Sequence, residues 1–267
     1  MSAVVVDQVR PGIAKITLNR PERLNAMNYD LISGLHDALD QLASERSCRV
    51  IVLTGAGRGF CAGLDLRDGA SPPGTAGMGR ANGGLTVQKM IAALVPKMRA
   101  MPQPIIAAVN GPASGGGLAL ALASDVRIAA ASARFNVAFI RIGLSGCDIG
   151  VSWMLPRLIG ASRAFELSLT GRLIDATEAD RIGLVTRMVP DGDVVESALE
   201  TADQIVGNSP FGVRMTKEVM WSQLEIGSLQ AGIDLENRTQ ILSSFTGDAG
   251  EAMAAFVEKR SPNFTDS

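Results

Sequence analysis

The chain has 267 residues and carries 25 Lys and Arg against 27 Asp and Glu, a formal net charge of −2. This balance excludes a protein that binds nucleic acid through a globally basic surface. A chain of this length buries roughly 70–75% of its unfolded surface when it folds, so it can build a large core without disulfide or metal cross-links. Aromatic residues make up only 4% of it and there are 29 glycines, so small side chains must fill that core.

The cysteines and the lone histidine give no sign of a cross-linked or metal-binding protein. Cys48, Cys61 and Cys147 follow no disulfide or metal-ligand spacing, and His36 has no histidine partner. The N-terminal segment lacks the basic and apolar regions of a signal peptide, and no apolar run reaches the ~18 residues that span a bilayer. The sequence therefore predicts a cytoplasmic protein that binds no metal, membrane or nucleic acid.

The first fifty-odd residues predict a strand, a turn, a second strand, a helix and a third strand. Two β-branched runs flank residues 10–12 (Arg-Pro-Gly), which predicts a hairpin. Leucines spaced three and four apart form one apolar face over residues 30–42, which predicts a helix with His36 beside that face. A buried strand is expected over residues 49–55.

Further along the chain, strands and helices alternate. Residues 67–84 have no apolar period and are rich in Gly, Ala and Pro, so we expect a surface loop that serves as a lid or pocket wall. A helix follows from about Leu85, bent near Pro96. Strand and helix patterns then alternate up to about residue 192. Beyond it the pattern is only helical, which predicts an α/β core over 1–192 and a helical region over 193–267.

Two glycine-rich segments, residues 51–66 and 105–125, share one layout: a buried strand, a loop of small residues and a helix start. The first turn of a helix presents unpaired N–H groups and a positive dipole end. Two such N–H groups converging on one point would form an oxyanion hole. Neither segment is a phosphate loop, since no Lys-Ser/Thr follows the glycines. The alternative is that the glycines only allow strand and helix to pack tightly.

Five motifs stand in the order typical of one known family: RPERLNAM (20–27), GFCAGLDL (59–66), AAVNGPASGGGLALALASDVRIA (107–129), LTGRLIDATEADRIGLVTRMV (169–189) and AFVEKRSPNF (255–264). The sequence resembles the crotonase superfamily, the enoyl-CoA hydratase/isomerase family, over nearly its whole length. The resemblance implies a ClpP/crotonase-like α/β fold, with a repeated β-β-α spiral core over 1–192 and a helical trimerisation region over 193–267. It also implies a homotrimer or a dimer of trimers.

The resemblance further implies an acyl-CoA thioester substrate, with coenzyme A as part of that substrate and no permanently bound cofactor. By motif position, the backbone N–H groups of Ala62 and Gly116 form the oxyanion hole. The residues expected to contact coenzyme A are Arg23, Leu24, Ala62, Gly63, Leu64, Asp65, Phe256 and Lys259. The last two often act from a neighbouring subunit in this family. Each of three residues also has an alternative, purely structural role. Lys259 would be a solvated surface residue, Phe256 a core residue, and Asp65 a residue that only fixes its loop.

Both glutamates that serve the hydratases of this family as acid and base are replaced. Their positions hold Ala119 and Phe139, and neither side chain can transfer a proton. Asp148 remains, at a position that resembles the base of dienoyl-CoA isomerases and the nucleophile of halobenzoyl-CoA dehalogenases. Its alternative role is to cap a helix predicted over residues 149–159.

Three functions remain open on this reading. The first is an isomerase or lyase in which Asp148 moves a proton at carbon, and the intact oxyanion glycine favours it. The second is a hydratase that uses non-standard residues or a bound water. The third is an acyl-CoA-binding protein that has lost catalysis.

Overall fold

The structure is a computed structural model that describes residues 2–68, 71, 73–75 and 77–267. Its strands are β1 (Val4–Arg10), β2 (Ile13–Leu18), β3 (Val50–Gly55), β4 (Ile105–Val109), β5 (Ala113–Ser114), β6 (Val126–Ala130), β7 (Arg134–Asn136), β8 (Ile174–Asp175) and β9 (Arg187–Val189). Its α-helices are α1 (Tyr29–Ser44), α2 (Arg80–Ala92), α3 (Leu94–Ala100), α4 (Gly116–Ala123), α5 (Val151–Ile159), α6 (Ala161–Thr170), α7 (Ala176–Arg181), α8 (Val194–Val206), α9 (Pro210–Gln223), α10 (Leu229–Ser244) and α11 (Gly247–Glu258). Short 3₁₀ helices cover Pro21–Arg23 and Ala138–Ile142.

Two sheets organise the strands. The larger has the order β1-β2-β3-β4-β6-β9, in which β1 and β2 are antiparallel and each later pair is parallel. The predicted hairpin is therefore confirmed. The smaller sheet has the order β5-β7-β8 and was not predicted, because its strands are only two or three residues long. It brings the segment before α4 against residues 134–136.

The middle of the larger sheet is buried on both faces, as β3 illustrates. Side chains alternate along a strand, so Ile51 and Leu53 pack into one core cluster while Val50 and Val52 pack into another on the opposite face. A strand covered on both sides needs apolar residues throughout. This explains the continuous run VIVLTG, which is buried over its whole length.

The second cluster includes α8, which contributes Val194, Ala198, Leu199 and Ala202 against the sheet. This helix lies in the predicted C-terminal region 193–267, yet it forms one layer of the α/β core. The predicted boundary at residue 192 therefore falls inside one packed unit. The helices that extend beyond the core are α9, α10 and α11.

Helix α4 is enclosed on every side, and all eight of its residues are buried. A helix that is apolar all round belongs in an interior, and the sequence GGLALALA keeps its diameter small. Small side chains thus allow neighbouring backbone to approach it closely. The glycines and alanines of α4 thus allow this helix to be packed closely in the core.

Three predicted boundaries were wrong. Helix α2 begins at Arg80 rather than near Leu85, and its apolar period is weak because only Ile91 is buried. The break before α3 lies at Ala93 rather than at Pro96. The glycine-rich segment 51–66 does not lead into a helix but into a turn.

The predicted loop over 67–84 is described only in part, since residues 69, 70, 72 and 76 lie outside the described residues. Over the ranges that are described, no helix is long and apolar enough to cross a membrane.

Candidate active site

Asn25 holds two loops of the candidate site together. It is fully buried, and its Oδ1 accepts a hydrogen bond from the Arg20 N–H at 2.8 Å. Its Nδ2 donates to the carbonyl oxygens of Ala56 (3.0 Å) and Gly59 (2.7 Å). Asn25 itself has a φ of 57°, in the left-handed region that Asn tolerates better than most residues. The segment 20–27 is thereby fixed to the glycine-rich loop after β3.

A charged cluster makes a second connection between the same loops. The Arg20 guanidinium donates to Asp65 Oδ2 at 2.9 Å and to Asp68 Oδ2 at 2.6 Å. Burial raises the pKa of Asp65, but hydrogen bonds from the Arg67 and Asp68 N–H groups and from Arg20 outweigh it and hold that pKa below its ordinary value. Asp65 therefore remains a carboxylate that fixes its loop.

Asn110, which follows β4, joins the third segment to the other two. Its Nδ2 donates to the carbonyl oxygens of Gly55 (2.8 Å) and Gly57 (2.9 Å), and its Oδ1 accepts from the Gly55 N–H at 3.1 Å. Further along, the Ser114 N–H donates to the Cys61 carbonyl at 3.0 Å. The segments 20–27, 55–65 and 110–117 thus form one hydrogen-bonded unit.

The third segment ends at the N-terminus of α4. Gly115 precedes the helix with a φ of +52°, a conformation that an L side chain rarely adopts. The first N–H groups of a helix have no intrahelical acceptor, and within the described ranges none is paired at Gly116, Gly117 or Leu118. The dipole of α4 adds partial positive charge at this point. The Gly116 N–H is thus unpaired among the described residues, and its role as an oxyanion donor stays a prediction.

The donor predicted at Ala62 is not free. The Ala62 N–H donates to the Leu24 carbonyl at 3.0 Å, so it is already used within the protein. The residues on either side of Leu64 are both hydrogen-bonded to Met27. The Met27 N–H donates to the Gly63 carbonyl at 2.7 Å, and the Asp65 N–H donates to the Met27 carbonyl at 2.9 Å. In this parallel bridge the Leu64 N–H points away from Met27, and no acceptor among the described residues pairs with it. The structure thus contradicts the role given to Ala62 and leaves Leu64 as the available donor.

The two free donors lie on adjacent segments. A Cβ atom placed on Gly63 would lie 3.6 Å from the Gly116 nitrogen and 2.9 Å from the Ser114 carbonyl oxygen. In the first turn of α4, a Cβ atom on Gly117 would lie 2.0 Å from the Cys61 carbonyl oxygen. Only glycine permits these approaches, so the backbone of 61–64 and the start of α4 are held in direct contact.

Apolar side chains surround this point. Ala119 is fully buried one turn into α4, and Phe139 is nearly so. The Phe139 ring lies 3.3 Å from a Cβ placed on Gly115, and Ile149 Cδ1 lies 3.6 Å from a Cβ placed on Gly116. A charge that develops here is screened little by water.

Asp148 lies in the loop that carries Ile149 over the start of α4. Its Oδ1 accepts two hydrogen bonds, from Gln88 Nε2 at 2.5 Å and from the Ile149 N–H at 2.7 Å. The predicted N-cap role is wrong, because α5 begins at Val151 and its N-cap is Gly150, with φ +75°. Asp148 contributes only its carbonyl oxygen to that helix start, by accepting from the Val151 N–H at 2.8 Å.

The residues predicted to contact coenzyme A lie in two places. Arg23 ends a 3₁₀ helix and Leu24 follows it with φ 49°, next to the segment 62–65. Phe256 and Lys259 lie at the end of α11. Phe256 is 86% exposed, and no contact found within the described residues joins either side chain to the loops of the site. A single chain therefore brings together only the first group.

Sequence reasoning missed Arg20, Asn25, Asn110 and Gln88. The motif RPERLNAM contained two of them, and Asn110 follows a buried strand directly. A polar side chain at such a junction was the signal for a loop-fixing role. Gln88 gave no such signal.

Comparison with known proteins identifies relatives over the full chain. The model of the enoyl-CoA hydratase/isomerase family matches residues 8–267. A probable enoyl-CoA hydratase of Mycobacterium tuberculosis (strain ATCC 25618 / H37Rv) is 45% identical over 267 residues, which are 100% of this chain and 94% of that protein. A 1,2-epoxyphenylacetyl-CoA isomerase of Escherichia coli (strain K12) is 38% identical over 266 residues, 99% of each chain. The crystal structure of a probable enoyl-CoA hydratase/isomerase from Mycobacterium abscessus superposes with a TM-score of 0.93 at 41% identity, covering 100% of both chains.

Proposed function

Because the chain belongs to the enoyl-CoA hydratase/isomerase family, we propose that it is an isomerase-type enzyme that acts on an unsaturated acyl-CoA thioester. Coenzyme A is then part of the substrate, and no permanently bound cofactor is needed. The observation that carries this proposal is the pair of unpaired N–H groups at Gly116 and Leu64, on adjacent backbone segments.

These two N–H groups form the proposed oxyanion hole. They would hold the thioester carbonyl oxygen and stabilise it as it becomes an enolate. One preorganised donor of this kind contributes about 2.7–4 kcal/mol of transition-state stabilisation. The dipole of α4 acts in the same direction, since Gly116 is its first residue.

Proton transfer is assigned to Asp148. Ala119 and Phe139 occupy the positions of the two hydratase glutamates and carry no ionisable group. The Asp148 carboxylate accepts a proton from an acidic carbon of the acyl chain, and the C–H electron pair moves toward the thioester, whose oxygen becomes an enolate oxygen. The carboxylic acid then returns the proton to another carbon of the conjugated system, so the double bond has moved and the enzyme is unchanged.

A hydratase that uses non-standard residues is the second candidate. The name of the Mycobacterium tuberculosis relative favours it, whereas the name of the Escherichia coli relative favours isomerisation. The two missing glutamates favour isomerisation here, because hydration adds both a hydroxyl group and a proton and the usual acid–base pair is absent.

Coenzyme A is proposed to lie across Arg23, Leu24 and the backbone of 62–65. Phe256 and Lys259 would reach it from a neighbouring subunit of a homotrimer or a dimer of trimers. Large apolar side chains of α10, of α11 and of the turn between them are exposed in the single chain, as assembly requires: Leu229, Ile233, Ile241, Leu242, Phe245, Met253, Phe256 and Val257.

The test is a panel of saturated, enoyl, dienoyl and aryl CoA thioesters, assayed with the wild type and with Asp148→Asn. We expect the wild type to shift a double bond in an enoyl- or dienoyl-CoA and Asp148→Asn to lose roughly 10²–10⁴-fold in kcat. Asp37→Asn on the exposed face of α1 is the matched control. Rapid hydration by the wild type would favour the second candidate. Full isomerase activity in Asp148→Asn would refute the role of Asp148.

A further inference from the structure

Helix α2 reaches the proposed base through one side chain. Gln88 Nε2 donates to Asp148 Oδ1 at 2.5 Å, across 60 residues of sequence. Gln88 belongs neither to the hydrogen-bonded loops nor to a motif that the sequence singled out. The core does not require it either, because Gln88 is exposed and Ile91 is the buried residue of α2.

The hydrogen bonds of Asp148 are unequally divided between its two oxygens. Oδ1 accepts both the Gln88 amide and the Ile149 N–H, the latter at 2.7 Å. Oδ2 has no hydrogen-bond partner in the part of the chain that the structure describes. A carboxylate held in this way has one orientation and one oxygen left to accept a proton.

The backbone beside Asp148 is in a conformation that needs outside support. Ile149 is β-branched and has a φ of 46°, a left-handed value that such a residue rarely adopts. Its side chain is nevertheless buried against the start of α4. Gly150, the next residue, would place a Cβ 3.4 Å from Val95 Cγ1 of α3. The loop is thus hydrogen-bonded to α2 at Asp148 and lies close to α3 at Gly150.

Helix α2 is itself anchored at its C-terminal end. The carbonyl of Met90 lies 3.0 Å from His36 Nε2 of α1, and Ile91 is in the core. In the middle of α2, the Thr86 hydroxyl donates to the Asn82 carbonyl of the same helix at 2.9 Å. The position of Gln88 therefore depends on a helix that α1 and the core hold near Gln88 itself.

We propose that Gln88 is a positioning residue: it fixes Oδ1 of Asp148 so that Oδ2 faces the substrate as the proton acceptor. This role rests on the proposed function of Asp148 as the base. Gln88 itself exchanges no proton with the substrate.

The test compares Gln88→Met, which keeps length and removes the donor, with Gln88→Glu, which places a second carboxylate against Asp148. A hydrogen bond to a charged group that is partly open to solvent predicts a loss of about tenfold in kcat for Gln88→Met. KM and the affinity for a CoA thioester should stay at wild-type values. Gln88→Glu should lose more, because like charges repel. Lys89→Met, on the same helix, is the control and should keep wild-type kcat.

The double variant separates this inference from the proposed function. If Gln88 acts through Asp148, adding Gln88→Met to Asp148→Asn causes no further loss. Wild-type kcat in Gln88→Met, with Asp148→Asn inactive, would overturn the role of Gln88 alone. An active Asp148→Asn would overturn the proposed base and this inference with it. An unfolded Gln88→Met would be replaced by Gln88→Asn, whose shorter amide cannot span the 2.5 Å contact and should show the same kcat loss.

Discussion

Replacing Gly117 by alanine is the sharpest test of the contact between the two donor segments. The added Cβ would lie 2.0 Å from the Cys61 carbonyl oxygen and 2.8 Å from the Cys61 carbonyl carbon. Both neighbours are fixed, since Cys61 is fully buried and its carbonyl accepts the Ser114 N–H. An ordinary carbon–oxygen contact of about 3.4 Å therefore requires the backbones to separate by about 1.4 Å.

That separation should lower both the free energy of unfolding and the catalytic rate, for different reasons. Forcing extra volume into a packed site costs about 1–3 kcal/mol in the free energy of unfolding. A displacement of about 1 Å at a catalytic group lowers the rate by roughly 10²-fold. We therefore expect Gly117→Ala to fold with reduced stability and to lose at least that factor in kcat, because the Gly116 and Leu64 N–H groups no longer face one oxygen.

The measurements are urea unfolding, thioester turnover and the affinity for a non-reacting CoA thioester. Gly250→Ala in α11 is the matched control, because a Cβ placed there meets no atom within 4 Å. It should keep activity and gain slightly in stability. Wild-type stability and turnover in Gly117→Ala would refute the argument that the two segments are locked in contact.

Two further predictions concern the groups that connect the loops. Asn25→Ala should lower the free energy of unfolding by about 3 kcal/mol, because the Arg20 N–H and the Ala56 carbonyl oxygen lose their partner and the Gly59 carbonyl oxygen keeps only its 3.3 Å bond from Asn110 Nδ2. Urea unfolding measures this, and a loss below 1 kcal/mol would contradict it. Asp65→Asn should be less stable than the wild type at pH 7, and the difference should shrink as the pH falls. The native pKa of Asp65 lies below its ordinary 3.8, so its stabilisation is complete above that value and is lost as the pH drops through the lower native pKa. A difference that is the same at pH 7 and pH 3 would contradict this assignment.

The crotonase fold predicted from the sequence is confirmed by the structural neighbours and the family match. Continuous apolar runs such as VIVLTG could be recognised because a strand covered on both faces has no polar period. Strands β5, β7 and β8 could not, because two or three residues carry no period at all. Helix α2 was placed too late for a related reason: it buries one residue, so its start has no apolar face to detect.

The candidate site also has some features that could be predicted from the sequence and others that could not. The start of α4 at Gly116 was readable, since glycines followed by an apolar helix leave free N–H groups in the first turn. The other donor was not, because whether Ala62 or Leu64 is free depends on acceptors at Leu24 and Met27, about forty residues earlier. The cap assigned to Asp148 failed for a local reason. Ile149 and Gly150 both adopt positive φ and delay the helix to Val151.

Binding of the thioester oxygen and transfer of the proton are assigned, in the proposed function, to different parts of this chain. In the proposed function the oxyanion donors are backbone groups held by Asn25, Asn110 and glycine contacts, so they do not depend on the side chain that transfers the proton. The proposed proton acceptor, Asp148, is a side chain on a separate loop, and its hydrogen bond with Gln88 joins it to α2. A chain built in this way can change its reaction without disturbing the thioester site. In the proposed function, Ala119 and Phe139 at the two expected glutamate positions represent a change of reaction rather than a loss of binding, and this is the argument for proposing an isomerase.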